Sequence, residues 1–276
     1  MTTIPTLALN DGAEIPQLGF GVFQVPPRET AEAVAQALEA GYRHIDTAAA
    51  YRNEEGVGEA IAAAGLPREE LFVTTKLWNA DQGYDEALRA FDASARRLRL
   101  DAVDLYLIHW PTPARDRYVP SWRALERLQR EGRVRSIGVS NFQPAHLRRL
   151  FDEGAVVPAV NQVELHPYLQ QPQLRAFHAE HEIATEAWSP LAQGAVLDDP
   201  AIVAIAQAHG RTPAQVVLRW HLQLGNVVIP KSVTPARIAE NLDVFGFELS
   251  DEQLAALAAL DRGQRTGPDP DTMEIA

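Results

Sequence analysis

Short apolar runs rich in β-branched residues alternate along this chain with longer stretches whose apolar positions recur at helical spacing. The first such run is 17–21, and the stretch 29–40 follows it with Ala31, Val34, Ala35 and Leu38 on one helical face. The same pairing repeats: strand 42–46 with helix 54–64, 71–76 with 84–97, 103–109 with 121–130, 134–140 with 145–151, and 159–163 with 172–180. Strands at 183–188 and 227–230 complete the series. An extra helix fits near 200–209, and a further one opens at Thr212-Pro213-Ala214-Gln215, with threonine at the N-cap, proline at N1 and glutamine at N3. A final helix opens at Ser250 with Gln253 in the same role, and Thr234-Pro235 caps another after the last strand.

Eight strand–helix units in strict alternation predict an α/β chain of the (β/α)8 TIM-barrel type, with strands apolar enough to be covered on both faces. Ahead of it, two short runs around Asn10-Asp11-Gly12 predict a β-hairpin that closes the bottom of the barrel. The tail, 263–276, is rich in Gly, Pro and Asp and reads as a flexible C-terminal loop that helps shape a pocket. No linker divides the chain, so one domain over 1–276 is expected.

Composition narrows the function classes. The 276 residues carry a net charge of -12, which argues against nucleic acid as a main partner, since phosphate binding needs a basic surface. The chain has no cysteine, which removes disulfides, thiolate catalysis and cysteine zinc sites together. Residues 1–20 lack the pattern of a signal peptide, and no apolar run reaches membrane-spanning length, so a cytoplasmic location is expected.

Four polar residues stand at the ends of predicted strands or one short loop beyond: Asp46, Tyr51, Lys76 and His109. In a parallel barrel such ends converge on one mouth. A phenol is a poor acid near neutrality, but a nearby cation favours its phenolate and can lower its pKa by roughly 1–3 units. Lys76 can supply that cation, Asp46 can hold the lysine charged, and His109 can hydrogen-bond a substrate oxygen. Singly, each has a plainer reading: a capping carboxylate with its salt-bridge partner, a packed tyrosine, a core histidine. Their joint placement at consecutive strand ends favours a general acid aimed at a carbonyl oxygen. His178 and His181, an i,i+3 pair without a third ligand nearby, read as surface residues, and no metal is expected. Gly19-Phe20-Gly21 and Gly56-Val57-Gly58 do not complete a dinucleotide fingerprint.

The stretch Gly41-Tyr42-Arg43-His44-Ile45-Asp46-Thr47-Ala48, continuing through Tyr51 to Glu54 and Val57-Gly58, resembles the aldo-keto reductase signature. Ile229-Pro230-Lys231-Ser232-Val233 with Arg237, Glu240 and Asn241 resembles that family's cofactor-phosphate motif, and Leu107-Ile108-His109-Trp110-Pro111 agrees as well. Within the family the chain looks most like bacterial reductases of the diketogluconate type. The resemblance implies an NADPH-dependent reductase of aldehydes, ketones or dicarbonyls, with Tyr51 as proton donor, Lys76 and Asp46 tuning it, and His109 positioning the carbonyl. It implies that Ser140, Asn141 and Gln162 grip the nicotinamide carboxamide, Trp188 stacks on its ring, and Ser189, Leu191, Gln193 and Gly194 follow the pyrophosphate. Ala192 stands where many relatives have glycine. Lys231, Ser232, Val233, Arg237, Glu240 and Asn241 would take the 2′-phosphate end, at a helix N-terminus suited to a dianion. The family leans towards monomers.

Phe23, Trp78 and Trp110 would wall an aromatic substrate pocket, with core packing the rival reading for Trp110. A barrel glycoside hydrolase using Glu164 and Glu186 is one alternative, but it leaves Lys76, Lys231 and Arg237 without a role. A reductase-like subunit that binds NADPH as a sensor is the other, because a barrel does not fix function.

Overall fold

The computed structural model describes residues 4–275. The hairpin pairs β1 (Thr6–Ala8) with antiparallel β2 (Glu14–Pro16). The barrel strands are β3 (Phe20–Gly21), β4 (His44–Asp46), β5 (Phe72–Leu77), β6 (Val103–Ile108), β7 (Val134–Ser140), β8 (Val160–Glu164), β9 (Ala184–Trp188) and β10 (Val227–Val228). All neighbours are parallel and follow chain order from β3 to β10. A parallel bridge between Leu18 and Val228 closes the ring, with Gly19 N–H donating to the Val228 carbonyl at 2.9 Å. The eight-stranded barrel expected from the alternating pattern is therefore the fold.

Its helices are α1 (Pro27–Ala40), α2 (Glu54–Ala63), α3 (Tyr84–Leu98), α4 (Tyr118–Arg130), α5 (Pro144–Glu153), α6 (Pro172–Glu180), the extra α7 (Pro200–His209), α8 (Pro213–Gln223), α9 (Pro235–Leu242) and α10 (Asp251–Ala258). Most predicted bounds hold to within a few residues. The first and last barrel strands are shorter than expected, because each keeps only the few residues that close the ring.

Strand alternation sorts side chains into two cores. Ile45, Val73, Leu77, Tyr106, Ile108, Val139 and Val163 face outward into the main core beneath the helices. Inside the barrel, Phe72, Leu105, Leu107, Val160, Ala184 and Val227 form a separate apolar floor, sealed from below by Leu9, Ala13 and Ile15 of the hairpin region. Asn10 Nδ2 ties the turn to the Pro158 carbonyl at 3.1 Å. Above that floor the inward positions turn polar: His44 and Asp46, Thr74 and Lys76, Gln162, Glu186. Gly19 makes room for this layer, since a Cβ there would lie 2.6 Å from His44 Nδ1.

Two expectations fail. His178 is not a surface residue: it is buried, its Nδ1 2.8 Å from Thr185 Oγ1 and its Nε2 2.9 Å from Asn161 Nδ2. Burial holds its imidazole down to about 3, so it is neutral and structural. The C-terminal loop is docked rather than flexible. Thr266 N–H and Oγ1–H donate to Glu164 Oε1 at 2.5 and 2.6 Å, and Gly267 N–H donates to Oε2 at 3.1 Å. Beyond them Met273 is buried, and Asn79 Nδ2 donates to the Ile275 carbonyl at 2.6 Å. Composition read as mobility misses this, because the anchor is a carboxylate about a hundred residues away. Among the described residues no helix is long and apolar enough to cross a membrane, and no cluster of metal-ligating side chains occurs.

Candidate active site

The strand ends bring the predicted proton-handling residues together. Asp46 closes β4, and Lys76 lies near the end of its neighbour β5 with its side chain on the same interior face. Lys76 is completely buried, which demands a counter-charge and filled hydrogen bonds. Its Nζ donates to Asp46 Oδ1 at 2.6 Å and Oδ2 at 2.8 Å, to the Thr47 carbonyl at 2.9 Å, and to the Tyr51 hydroxyl at 3.4 Å. Burial alone would push the ammonium down; the adjacent Asp46 carboxylate outweighs it and holds the lysine above its usual value.

Tyr51 ends a single 3-10 turn, Ala49–Tyr51, clamped at its base. Thr47 Oγ1 donates to Asn53 Oδ1 at 2.9 Å, and Asn53 Nδ2 donates to the carbonyls of Val22 and Val25 at 2.9 and 3.2 Å. The phenol departs from expectation in one respect. Burial raises its pKa by more than Lys76 lowers it, so the net shift is upward. The lysine charge is already shared with Asp46, and Tyr51 therefore stands protonated at neutral pH, as a loaded acid. His109, just past β6, is buried, and desolvation with Lys76 nearby holds it well below the usual histidine range. A neutral imidazole results, whose ring meets Tyr51 edge-on at 5.7 Å and Trp78 at 5.3 Å.

The aromatic residues Phe23 and Trp78 pack against this core. Phe23, half exposed, lies 5.0 Å from the Tyr51 ring. Trp110 is largely buried, as core packing requires, and stands edge-on to Trp188 at 6.4 Å. Asn141, at φ 64°, occupies the left-handed region that asparagine tolerates. Its Nδ2 donates to the His109 carbonyl at 3.0 Å and to Ser140 Oγ at 3.1 Å, and its Oδ1 accepts from the Trp188 indole at 2.8 Å. Ser140 Oγ in turn donates to the Gln162 carbonyl at 2.8 Å. Ser140, Asn141, Gln162 and Trp188 thus form one hydrogen-bonded rim beside the tetrad. Past Trp188, Ser189, Ala192, Gln193 and Gly194 all take positive φ, a tightly coiled loop around Leu191.

Past β10, Lys231 and Arg237 are exposed and make no ion pair among the described residues. They flank the start of α9, where a sequence reading of Thr234 as the cap needs correction. Thr234 sits at the N-cap position, but its side chain makes no capping bond; Ser232 Oγ instead accepts from Thr234 N–H at 3.1 Å. Two unpaired cations beside an uncapped helix start are a donor set suited to a phosphate dianion. Val233 is exposed here and Asn241 is buried, while Glu240 Oε1 accepts from Thr212 at 2.8 Å and so ties α9 to α8.

Residues 17–262 match the Aldo/keto reductase family. The chain belongs to that family. It is 61% identical to an aldo-keto reductase of Mycolicibacterium smegmatis over 271 residues, covering 98% of each. It is 55% identical over 273 residues to the methylglyoxal reductase DkgA of Escherichia coli, again with 98% of each covered. Among solved structures it superposes on a variant of Gox0644 in complex with NADPH with a TM-score of 0.96, at 53% identity, covering 99% of this chain and 100% of that one.

In this reductase the carboxylates of the hydrolase alternative are both engaged internally. Glu164 holds the C-terminal loop and accepts from His166 Nε2 at 3.0 Å. Burial would raise its pKa, but the donors from His166, Thr266 and Gly267 hold it below the usual value. Glu186 lies inside the barrel, bonded to Gln162. The sequence reading names Glu186 only as a hydrolase carboxylate, and does not show that it shares an inner polar layer with His44 and Thr74. The layer's signal was there, since each sits two residues before a rim residue on the same strand and so shares its face.

Proposed function

We propose that this reductase converts aldehydes, ketones or dicarbonyls to alcohols with NADPH, with Tyr51 as the proton donor. The observation that carries this reading is Lys76 Nζ, which bridges Asp46 at 2.6 Å and the Tyr51 hydroxyl at 3.4 Å at the end of the barrel interior. NADPH would supply the hydride to the carbonyl carbon. The chain's own residues handle the oxygen. The neutral His109 ring donates a hydrogen bond to the carbonyl oxygen, and Tyr51 delivers its proton there as charge develops. Lys76 stabilises the phenolate left behind, and solvent restores the proton. Phe23, Trp78 and Trp110 exclude water from the reacting atoms.

Ser140, Asn141 and Gln162 would hold the carboxamide of the cofactor, Trp188 its ring, the loop from Ser189 to Gly194 its pyrophosphate, and Lys231 and Arg237 its 2′-phosphate. The unpaired cations and open helix start at α9 support the phosphate assignment, as does the NADPH in the Gox0644 complex. Relatives called methylglyoxal reductase support small dicarbonyls as a substrate class.

Replacing Tyr51 by Phe tests the proton donor. Reduction of methylglyoxal, followed by loss of NADPH absorbance, should fall about 10²–10⁴-fold, the usual worth of a positioned acid, while NADPH binding is kept. Turnover equal to that of the unsubstituted enzyme would remove Tyr51 from this role.

A further inference from the structure

Glu186 has no place in the mechanism above, yet it is completely buried inside the barrel, directly in register with Gln162 on the neighbouring strand. The carboxamide of Gln162 divides its two N–H groups between two carboxyls. Nε2 donates to Asp46 Oδ2 at 2.8 Å and to Glu186 Oε2 at 2.9 Å. The opposite orientation of the amide would set its oxygen against the Asp46 carboxylate, so the chemistry allows one flip only. In that flip both donors point into the barrel, and Oε1 takes no hydrogen bond among the described residues.

We propose that Glu186 is a positioning residue for the cofactor: the Asp46 carboxylate sets which way round the Gln162 amide lies, and Glu186, by accepting its second N–H, fixes the plane of that amide so that the acceptor oxygen faces the nicotinamide carboxamide. This rests on the reading of Gln162 as a carboxamide-binding residue. A carboxamide ligand offers both an NH₂ and a C=O, and a free glutamine could meet it either way round. With its donors committed to Asp46 and Glu186, Gln162 can meet only the NH₂, which fixes the rotation of the carboxamide.

The charge balance fits an acceptor that need not be anionic. Lys76 is the cation of this layer, and Asp46 already takes it. Burial, with the Asp46 charge added, pushes the Glu186 carboxyl up to about 8, which favours its neutral form. His44, whose Nε2 lies 3.6 Å from Glu186 Oε1, is held down to about 3 by burial and adds no compensating charge. A protonated acid can accept from Gln162 on Oε2, while Oε1, 3.6 Å from His44 Nε2, makes no hydrogen bond among the described residues. Glutamine in place of Glu186 keeps an oxygen for Gln162; leucine removes the acceptor.

Binding by titration of tryptophan fluorescence separates the outcomes, using NADPH and adenosine 2′,5′-bisphosphate, which carries the phosphate end but no nicotinamide. Glu186→Leu should weaken NADPH at least about fivefold, the scale of one lost hydrogen bond, and leave the bisphosphate unchanged. Glu186→Gln should bind both ligands as the unsubstituted enzyme does. The proposal is overturned if Glu186→Leu loses both ligands equally, if it loses neither, or if Glu186→Gln loses as much NADPH as Glu186→Leu. Failure of the unsubstituted enzyme to bind NADPH would instead strike the cofactor reading itself.

Discussion

The two sides of the barrel mouth handle charge in opposite ways. At the catalytic side Lys76 and Asp46 are buried, and the ammonium is surrounded by three hydrogen-bonding groups of the chain. At the α9 side Lys231 and Arg237 stand in solvent without a carboxylate partner among the described residues, beside a helix start that lacks a side-chain cap. Proton transfer needs groups fixed before the substrate arrives, in a site dry enough for their charges to act strongly. Anion binding needs groups whose best partner is the ligand. One chain therefore saturates the first set and leaves the second open.

Removing one buried charge should break the first side outright. In Asp46→Asn the Lys76 ammonium keeps its burial and loses the counter-ion that most opposes desolvation, so its pKa shifts down towards the neutral amine. Breaking such a pair typically costs about 3–5 kcal/mol. Urea unfolding should register a loss of that size, together with loss of turnover. A cost under about 1 kcal/mol would mean that the two residues are not the coupled unit their 2.6 Å contact indicates.

The opposite side should respond in binding and not in stability. Arg237 is exposed and unpaired, so Arg237→Ala should leave the unfolding midpoint where it is. Hydrogen bonds to charged groups are worth about 1.5–3 kcal/mol, which corresponds to roughly 10–100-fold in the NADPH dissociation constant. NADH, lacking the 2′-phosphate, should bind as before. Equal losses for both cofactors would take Arg237 away from the phosphate.

These two sides were also unequally legible in the sequence. The strand-end positions of Asp46, Lys76 and His109 follow from period and alternation, and the structure gathers them with Tyr51 as expected. The direction of the Tyr51 shift did not follow, because it turns on whether burial or Lys76 wins, and burial depends on packing from distant parts of the chain. The inner layer of His44, Thr74 and Glu186 was readable in principle from strand alternation, but a buried polar residue looks like a core error until its partner is placed. The C-terminal loop was the least legible: its anchor, Glu164, lies on another strand, and a Cβ on Gly267 would come within 2.5 Å of Trp188 Cη2.

The smallest expected effect makes the sharpest comparison, between two helix starts that read almost alike. Thr212-Pro213-Ala214-Gln215 opens α8 and Thr234-Pro235-Ala236-Arg237 opens α9. The difference lies at N3. Gln215 can accept from the Thr212 N–H, at 3.0 Å, while Thr212 Oγ1 accepts from Gln215 N–H at 3.3 Å, so a capping box closes. Arg237 has no acceptor, the box cannot form, and the Thr234 side chain caps nothing. Thr212→Ala should therefore cost about 1 kcal/mol in urea unfolding, and Thr234→Ala less than about 0.5 kcal/mol. A full capping cost at Thr234 would mean that its hydroxyl does close the helix in solution, and the open phosphate end would lose one of its two supports. With the expected result, the start of α9 is left open at its N–H groups, and the arginine at N3 places a cation beside them.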